Sequence, residues 1–382
     1  MEILFNYIFA VMQPFSKDGW QILSLIMAVI LLYKNWRIWK KDTIIISVFL
    51  FLLYVSISTL FSPDKIYSFN FLSRYFVGFG FSFIIGYSLN STKHKEKLIS
   101  TYIWVFTCLV LFGFMAYVGI IPHKISFYTL VNEGRLCVSD WATVFAGRCE
   151  FIIMIFAALI LFEEKKEKIY KYSFILLVFI TALILSGARQ SYIATFCSCL
   201  LLFSAYFYIK KSVKKQVVFI IIMIAVFSIA YFFNSNINSR INNVSLTNDS
   251  SIASRITMYK MSMELIKEKP LLGHTTATAG KQLMVIFNKH IKHFHNIYLN
   301  TLVDFGIVGF ILFIFIFYTL FGRLIRKYKE TKSPYMLMLF FAWIAVLISD
   351  CFDALLLDPA CSGLFFWVTG LILSEQKSTN KV

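Results

Sequence analysis

The sequence predicts an all-α, polytopic membrane protein with about twelve transmembrane helices and one large extracytoplasmic helical loop. Hydrophobic residues make up 59% of its 382 positions, charged residues make up only 15%, and the mean hydropathy is +0.73. Several apolar runs approach or exceed the roughly 20 residues that a helix needs to cross a bilayer. Basic residues recur in the short segments between these runs. This pattern excludes a soluble globular protein.

Twelve apolar runs are the candidate spans of a single transmembrane domain that covers residues 1–382. They lie near residues 3–15, 19–33, 43–61, 71–89, 98–121, 142–162, 173–186, 191–209, 217–233, 295–321, 335–351 and 360–374. Two of the connections between them are long, residues 122–141 and 234–294. The second is the large extracytoplasmic loop.

The basic residues set the predicted orientation. The formal net charge is +17, which in a soluble protein would suggest nucleic acid as a partner. Here Lys and Arg concentrate in every second connection, which is the pattern of loops that stay in the cytoplasm and argues against nucleic acid. These segments are residues 34–42, 92–97, 163–171, 210–215, 322–332 and 375–382. Both termini are therefore expected in the cytoplasm, and the two long loops on the opposite side.

A helix is predicted inside the large loop, from about Ile252 to Lys269. Ser250 or Ser251 can cap its start, and Pro270 would end it. Apolar and charged residues fall on separate faces, so this helix is expected to lie along the outer membrane surface or to dock on the bundle.

The stretch from His295 to Gly309 is the feature around which the rest of the chain is organised. If it is helical from its first residue, His295 and Gly306 share one face, and Asn296, Asn300 and Asp304 form a neighbouring polar stripe. Polar side chains that enter a bilayer must face protein or a wet cavity. This helix is therefore expected to line one.

His295 is the candidate general base, because an imidazole can accept a proton near neutral pH. The alternatives are a polar residue at a helix start and, together with His290 and His293, a zinc ligand. The spacing H-x2-H-x-H lacks the i, i+4 pairing and the partner carboxylate of helical zinc motifs. We therefore expect no metal and no cofactor.

Arginines near the outer face are candidate phosphate ligands, because a guanidinium is always charged and its fork matches phosphate oxygens. Arg189 sits at a tight turn between two apolar runs, where an interfacial anchor is the alternative. Arg255 lies in the first turn of the predicted loop helix, where a solvated residue is the alternative. Arg135 and Arg74 are weaker candidates.

Other ionisable residues are supporting candidates. Arg148 and Glu150 lie within an apolar run and are either a buried pair or part of a cavity. Asp350, Asp353 and Asp358 flank the last outer turn, where they would neutralise the arginines, supply an alternative base, or serve in capping and interfacial solvation. Of these, Arg148 and Asp350, with Asn296 and Asn300, are retained as supporting site residues.

Three segments resemble motifs of the O-antigen ligase and Wzy-type polysaccharide polymerase superfamily, in the family's order. SGARQSYIA at residues 186–194 is similar to its Ser-x-x-Arg turn. SRITMYKMSMELIKEKPLLG at residues 254–273 is similar to its arginine helix with a Pro-x-x-Gly stop. Residues 295–309 are similar to its motif of His-Asn, nine residues and Gly-x-x-Gly. Where the family often has a second glycine after the stop, this chain has Thr275.

The resemblance implies an integral-membrane glycosyltransferase of the bacterial cytoplasmic membrane, acting on its extracytoplasmic face without a metal. It implies that Arg189 and Arg255 bind the diphosphate of a polyprenyl-diphosphate-linked oligosaccharide, and that His295 activates the acceptor hydroxyl. The acceptor would be another glycan or a lipid A core, and a chain-length regulator is a further implied partner. Attack opposite the diphosphate would invert the anomeric carbon.

Three functions stay open at this point. A polymerase of lipid-linked repeat units is favoured by the short outer loop, and a ligase that delivers finished glycan to lipid A core or protein is the alternative. A transporter or flippase is the third. It is less favoured because such folds show inverted repeats and ionisable residues at bilayer depth, whereas here the arginines and the histidine collect at one face.

Overall fold

The computed structural model describes residues 1–15, 19–89, 91–125, 128–138, 140–210, 217, 221, 250–287 and 293–374. The described chain is almost entirely helical, as predicted. It also contains two small antiparallel hairpins, in which β1 (Lys124–Ile125) pairs with β2 (Tyr128–Thr129) and β3 (Val131–Asn132) pairs with β4 (Arg135–Leu136).

The chain divides into two compact units, of which the first contains Met1–Cys108, Tyr259–Thr331 and Asp353–Val382. Its helices are α1 (Glu2–Met12), α2 (Gly19–Trp39), α3 (Thr43–Leu60), α4 (Lys65–Tyr75), α5 (Ser82–Tyr87), α11 (Thr278–Phe287), α12 (Ile297–Thr331) and α14 (Pro359–Leu373), with a π-helical turn at Phe76–Phe81 and 3₁₀ turns at Gln13–Phe15 and Leu355–Leu357. Its interior is rich in aromatic rings. Phe51 of α3 lies within 6.1 Å, between ring centroids, of Tyr75, Phe79, Phe305 and Phe313.

The second unit contains Leu109–Met258 and Lys332–Phe352. Its helices are α7 (Ala142–Phe162), α8 (Lys166–Ser186), α9 (Arg189–Lys210) and α13 (Pro334–Ser349). The central helix is α7. Buried residues make up 89% of its most apolar 18-residue stretch, against 50% for α8 and 39% for α9. Two helices belong partly to each unit, namely α6 (Thr92–Tyr117) and α10 (Ser250–Glu268).

The predicted apolar runs coincide with helices throughout the described chain. Only the run at 217–233 falls largely outside the described residues. Within the described part, seven helices are long and apolar enough to cross a membrane, and α13 and α14 are shorter apolar helices. The fold class is therefore confirmed as all-helical with membrane-spanning character, and the number of twelve spans stays a prediction. The helix predicted from about Ile252 to Lys269 is also confirmed, as α10, while the large extracytoplasmic loop around it stays a prediction.

The long helix α12 differs from the prediction in two ways. It begins at Ile297 rather than at His295, so the histidine precedes the helix. It is also interrupted at Gly306, whose φ of 61° and ψ of −167° are not helical. The predicted continuous face from His295 to Gly306 is therefore wrong, because the backbone changes direction at both residues.

The interruption at Gly306 is filled by the Pro-x-x-Gly segment that follows α10. The N–H groups of Ile307 and Val308 donate to the carbonyls of Pro270 and Leu271, at 2.9 and 3.2 Å. A Cβ on Gly306 would lie 2.3 Å from the Leu271 carbonyl oxygen. Backbone groups that a broken helix leaves unpaired are costly within a membrane. Backbone hydrogen bonds thus join the Pro-x-x-Gly segment to the break in α12.

Candidate functional site

His295 lies in the turn that leads into α12, with a backbone φ of 51°. Asn296 follows it, and its side-chain Oδ1 accepts a hydrogen bond from the backbone N–H of Leu299 at 3.0 Å. This is the contact of an N-cap, which satisfies one of the unpaired N–H groups of the first helical turn. The role of Asn296 in the structure is therefore to begin α12 just after the histidine.

The imidazole of His295 pairs with Asp353. The Nδ1 atom of His295 lies 3.1 Å from Oδ1 of Asp353. The side chain of Asp353 is 5% exposed, whereas that of His295 is 34% exposed. Asp353 Oδ1 also accepts a hydrogen bond from the backbone N–H of Ala354 at 2.9 Å. The Ala354 N–H thus holds the carboxylate in place, and the imidazole is partly exposed at the surface of the unit.

The charge state of Asp353 fixes the proton on His295. Burial alone would raise the pKa of Asp353, but the hydrogen bond from His295, the charges of His293 and His295 and the N–H of Ala354 together hold it well below its usual range. An ionised carboxylate can only accept hydrogen bonds, so Nδ1 of His295 must be the donor. In the neutral ring the Nε2 atom then carries the lone pair. This is the tautomer that a general base needs.

Two further groups hold the backbone of His295. Its N–H donates to Nδ1 of His293 at 3.2 Å, and the hydroxyl of Tyr259 donates to its carbonyl at 3.1 Å. The rings of His293 and His295 are 4.6 Å apart, edge to face. A non-glycine residue at positive φ is strained by about 1–3 kcal/mol and persists only where its surroundings fix it. These contacts supply that fixation.

Asp353 is the partner of His295 that the sequence did not single out, since it was only one of three carboxylates at the last predicted outer turn. The three have different roles in the structure. Asp358 caps α14, because its side chain accepts from the N–H of Ala360 at 2.8 Å. Asp350 is fully buried at the end of α13, in the second unit. No local pattern separates them, because the partner of Asp353 lies 58 residues away.

Arg189 is the first residue of α9 and is half-buried. The turn before it is tightly built. Gly187 adopts φ 63° at the end of α8, the Ser186 hydroxyl accepts from the Ala188 N–H at 3.3 Å, and Arg135 Nε donates to the Ser186 carbonyl at 2.7 Å. Arg135 therefore braces the turn that carries Arg189.

Arg255 is half-buried and lies in the second turn of α10 rather than in the predicted first turn, because the helix already begins at Ser250. Like Arg189, it belongs to the second unit. Arg74, the weaker candidate, lies in the first unit with its guanidinium carbon 4.9 Å from the centroid of the Phe71 ring. This is the distance of a cation–π contact.

Arg148 and Glu150 are both fully buried in α7. Arg148 forms an ion pair with Asp140, 2.5 Å away, and Oε2 of Glu150 accepts a hydrogen bond from the hydroxyl of Ser349 at 2.7 Å. The sequence allowed a buried pair but did not identify Asp140 as a partner. A buried charge needs such a partner, because an unpaired one is strongly destabilising.

Two members of the predicted polar stripe, Asn300 and Asp304, are buried within α12, whereas Asn296 is half-buried and precedes the helix. Asn300 and Asp304 are 2% and 1% exposed. Asn300 Nδ2 donates to Asp304 Oδ2 at 3.1 Å, and the same oxygen accepts from the N–H of Ala277 at 3.2 Å. Asp304 thus holds the segment that follows the Pro-x-x-Gly stop, directly beside the break in α12.

The helices and the buried polar residues indicate the class of protein. Long apolar helices with buried, paired ionisable groups are typical of a polytopic helical membrane protein, and in this one a carboxylate orients a histidine at a helix start. Residues 174–314 match the family model described as O-antigen ligase. The predicted resemblance to the O-antigen ligase and polymerase superfamily is therefore confirmed.

The matched segment contains all three motifs and includes Arg189, Arg255 and His295. The family indicates a membrane enzyme of the glycosyltransferase kind. No curated protein matches the chain.

Proposed function

We propose that this protein is an extracytoplasmic glycosyltransferase that polymerises polyprenyl-diphosphate-linked oligosaccharide units into O-antigen or another surface polysaccharide. The observation that carries the proposal is the His295–Asp353 pair. A buried carboxylate contacts Nδ1 of the imidazole at 3.1 Å, and the imidazole side chain is 34% exposed. The resemblance of residues 295–309 to the family's histidine motif implies the same residue as the one that acts on the acceptor.

In the proposed reaction, Nε2 of His295 accepts the proton of the acceptor hydroxyl as its oxygen bonds to the anomeric carbon. The bond from that carbon to the diphosphate oxygen breaks, and the electron pair leaves with the diphosphate. Attack from the opposite side inverts the anomeric carbon. The Asp353 carboxylate stabilises the imidazolium that forms, as a carboxylate does beside a histidine base.

Arg189 and Arg255 are proposed to bind the diphosphate and to stabilise the charge that develops on it. Two guanidinium groups can neutralise a diphosphate leaving group without a metal ion. The braced turn before Arg189 supports this role, since a charge-stabilising group works best when it is already held in position.

The acceptor separates the two candidate functions. In a polymerase it is the next lipid-linked repeat unit, and the proposed partners are then two lipid-linked glycans and a chain-length regulator in the bacterial cytoplasmic membrane. In a ligase it is a lipid A core or a protein. The ligase is retained as the second candidate because the matched family model carries that description.

Product analysis tests the proposal. Purified protein is incubated with synthetic lipid-linked repeat units, with and without a lipid A core acceptor, and the products are resolved by size. A ladder of longer lipid-linked glycans without core is the expected result. Product that appears only with core would favour the ligase, and no glycan product in either mixture would contradict both.

A further inference from the structure

The sequence motif H-x2-H-x-H lacked a carboxylate that could complete a zinc site, and in the structure Asp353 provides one. His293, His295 and Asp353 each offer one ligand atom, and these atoms all lie within 4.8 Å of one another. His293 and His295 are two residues apart, whereas Asp353 comes from the far side of α13 in the chain. Two histidines and an acid are a ligand set that zinc takes in catalytic and regulatory sites.

The distances are close to those of a tetrahedral site. Zinc binds histidine nitrogen and carboxylate oxygen at about 2.0–2.2 Å, so neighbouring ligand atoms of a tetrahedron lie about 3.3 Å apart. The distance of 3.1 Å between Nδ1 of His295 and Oδ1 of Asp353 is close to this spacing. His293 needs only a small ring movement to complete the set, and its ring is already 4.6 Å from that of His295.

The surroundings suit a bound dication as well. The side chain of Asp353 is only 5% exposed, its Oδ1 is oriented by the Ala354 N–H at 2.9 Å, and a metal ligand held by a second hydrogen bond binds more strongly. His295 is one-third exposed, which leaves a route for an ion and room for water as a fourth ligand.

We propose that His293, His295 and Asp353 bind a borderline transition-metal ion such as Zn²⁺, and that the bound ion switches off His295 as a base. Zinc takes the lone pair of one ring nitrogen of His295, and the ring proton then stays on the other. No nitrogen remains to accept the proton of an acceptor hydroxyl. The site is thus an inhibitory one, and its effect on transfer rests on the proposed function.

Metal binding is measured first, without any turnover. Untagged purified protein is titrated with Co²⁺, and the visible absorption of tetrahedral Co²⁺ is recorded, followed by competition with Zn²⁺. The test variant is His293→Asn, because the Asn Oδ1 can still accept the His295 N–H while the imidazole ligand is lost. His123→Asn, an exposed histidine in the second unit, is the matched control.

The expected result is one Co²⁺ per chain in wild-type protein and in His123→Asn, with affinity at least about 10-fold weaker in His293→Asn. Equal binding by wild-type protein and His293→Asn, or no Co²⁺ band in wild-type protein, would overturn the site.

Inhibition is measured second, as transfer with and without added Zn²⁺. Zinc is expected to stop transfer by wild-type protein and to spare His293→Asn. Wild-type transfer that continues with the metal bound would overturn the inhibitory role. A protein that binds Co²⁺ through His293 but makes no glycan product would instead leave the site standing and refute the proposed function.

Discussion

Nδ1 of His295 and Oδ1 of Asp353 are 3.1 Å apart, although the two residues are separated by 58 positions of sequence. The acid is buried and the imidazole is partly exposed. In this arrangement the carboxylate sets the tautomer of the histidine, and the other ring nitrogen can accept a proton. The relationship makes the role of Asp353 testable apart from that of His295.

Asp353→Asn is expected to lower kcat for transfer by about 10- to 1000-fold, with KM for the lipid-linked donor little changed. An amide can still contact Nδ1 but cannot stabilise the imidazolium, and general-base catalysis contributes about 10²–10⁴-fold. The measurement is steady-state transfer by purified protein. Asp358→Asn is the matched control, since an asparagine caps a helix as well as an aspartate and Asp358 caps α14. Equal losses in both variants would show a structural effect rather than a positioning role.

The same pair predicts a pH dependence of stability. The pKa of Asp353 is lower in the folded protein than in the unfolded chain, so its contribution is fully present above the unfolded value of about 4 and is lost as the pH falls through the folded value. Thermal unfolding of wild-type protein and Asp353→Asn is compared at pH 7, 5 and 3. Their difference in melting temperature is expected to be smaller at pH 3 than at pH 5. A difference that grows from pH 5 to pH 3 would contradict the assigned pKa direction.

Gly306→Ala is expected to prevent normal folding. The positive φ alone costs a non-glycine residue about 1–3 kcal/mol, and the added Cβ would meet the Leu271 carbonyl oxygen at 2.3 Å. Gly322→Ala in the same helix is the control, because a Cβ there meets nothing within 4 Å. Fluorescence-detected size-exclusion chromatography should show aggregated Gly306→Ala and monodisperse Gly322→Ala. A well-folded Gly306→Ala would mean that the break in α12 is not required.

Thr275→Gly is expected to stabilise the protein by up to about 1 kcal/mol. The φ of Thr275 is 81°, a conformation that β-branched residues rarely adopt. Glycine relieves that strain, although it loses more backbone entropy on folding. A rise in the thermal unfolding midpoint checks the prediction. A fall would indicate that the contact of the Thr275 hydroxyl with Thr278, at 3.1 Å, is worth more than the strain.

Arg189→Lys is expected to raise KM for the lipid-linked donor and to lower kcat, because a lysine keeps the charge but loses the two-pronged contact with phosphate oxygens. Transfer rates at varied donor concentration give both constants. Arg326→Lys, an exposed arginine at the basic end of α12, is the control and should behave as wild type. Wild-type constants for Arg189→Lys would remove Arg189 from the diphosphate-binding role.

Much of the fold was predictable because it follows from local composition. A run of apolar residues long enough to cross a bilayer must be helical to satisfy its backbone, so α3, α7 and α9 could be read directly from the sequence. The break in α12 could not, since Gly306 lies well inside the run at residues 295–321 and its conformation depends on the Pro-x-x-Gly segment of another part of the chain.

The residues of the candidate site also differ in whether the sequence could identify them. His295 stood out from its motif and its position at the head of an apolar run. Asp353 and Asp140 did not, because each is defined by a partner that only folding brings close. Sequence patterns identify residues whose chemistry is unusual for their surroundings, but they do not say which residues those side chains will meet.

The most direct test of the central claim is the rate of glycan transfer by purified His295→Gln relative to wild-type protein, measured with saturating synthetic donor and acceptor. If the Asp353-held imidazole removes the acceptor proton, the rate should fall by at least about 100-fold while the variant stays folded and binds the donor. Transfer at the wild-type rate by His295→Gln would contradict the account.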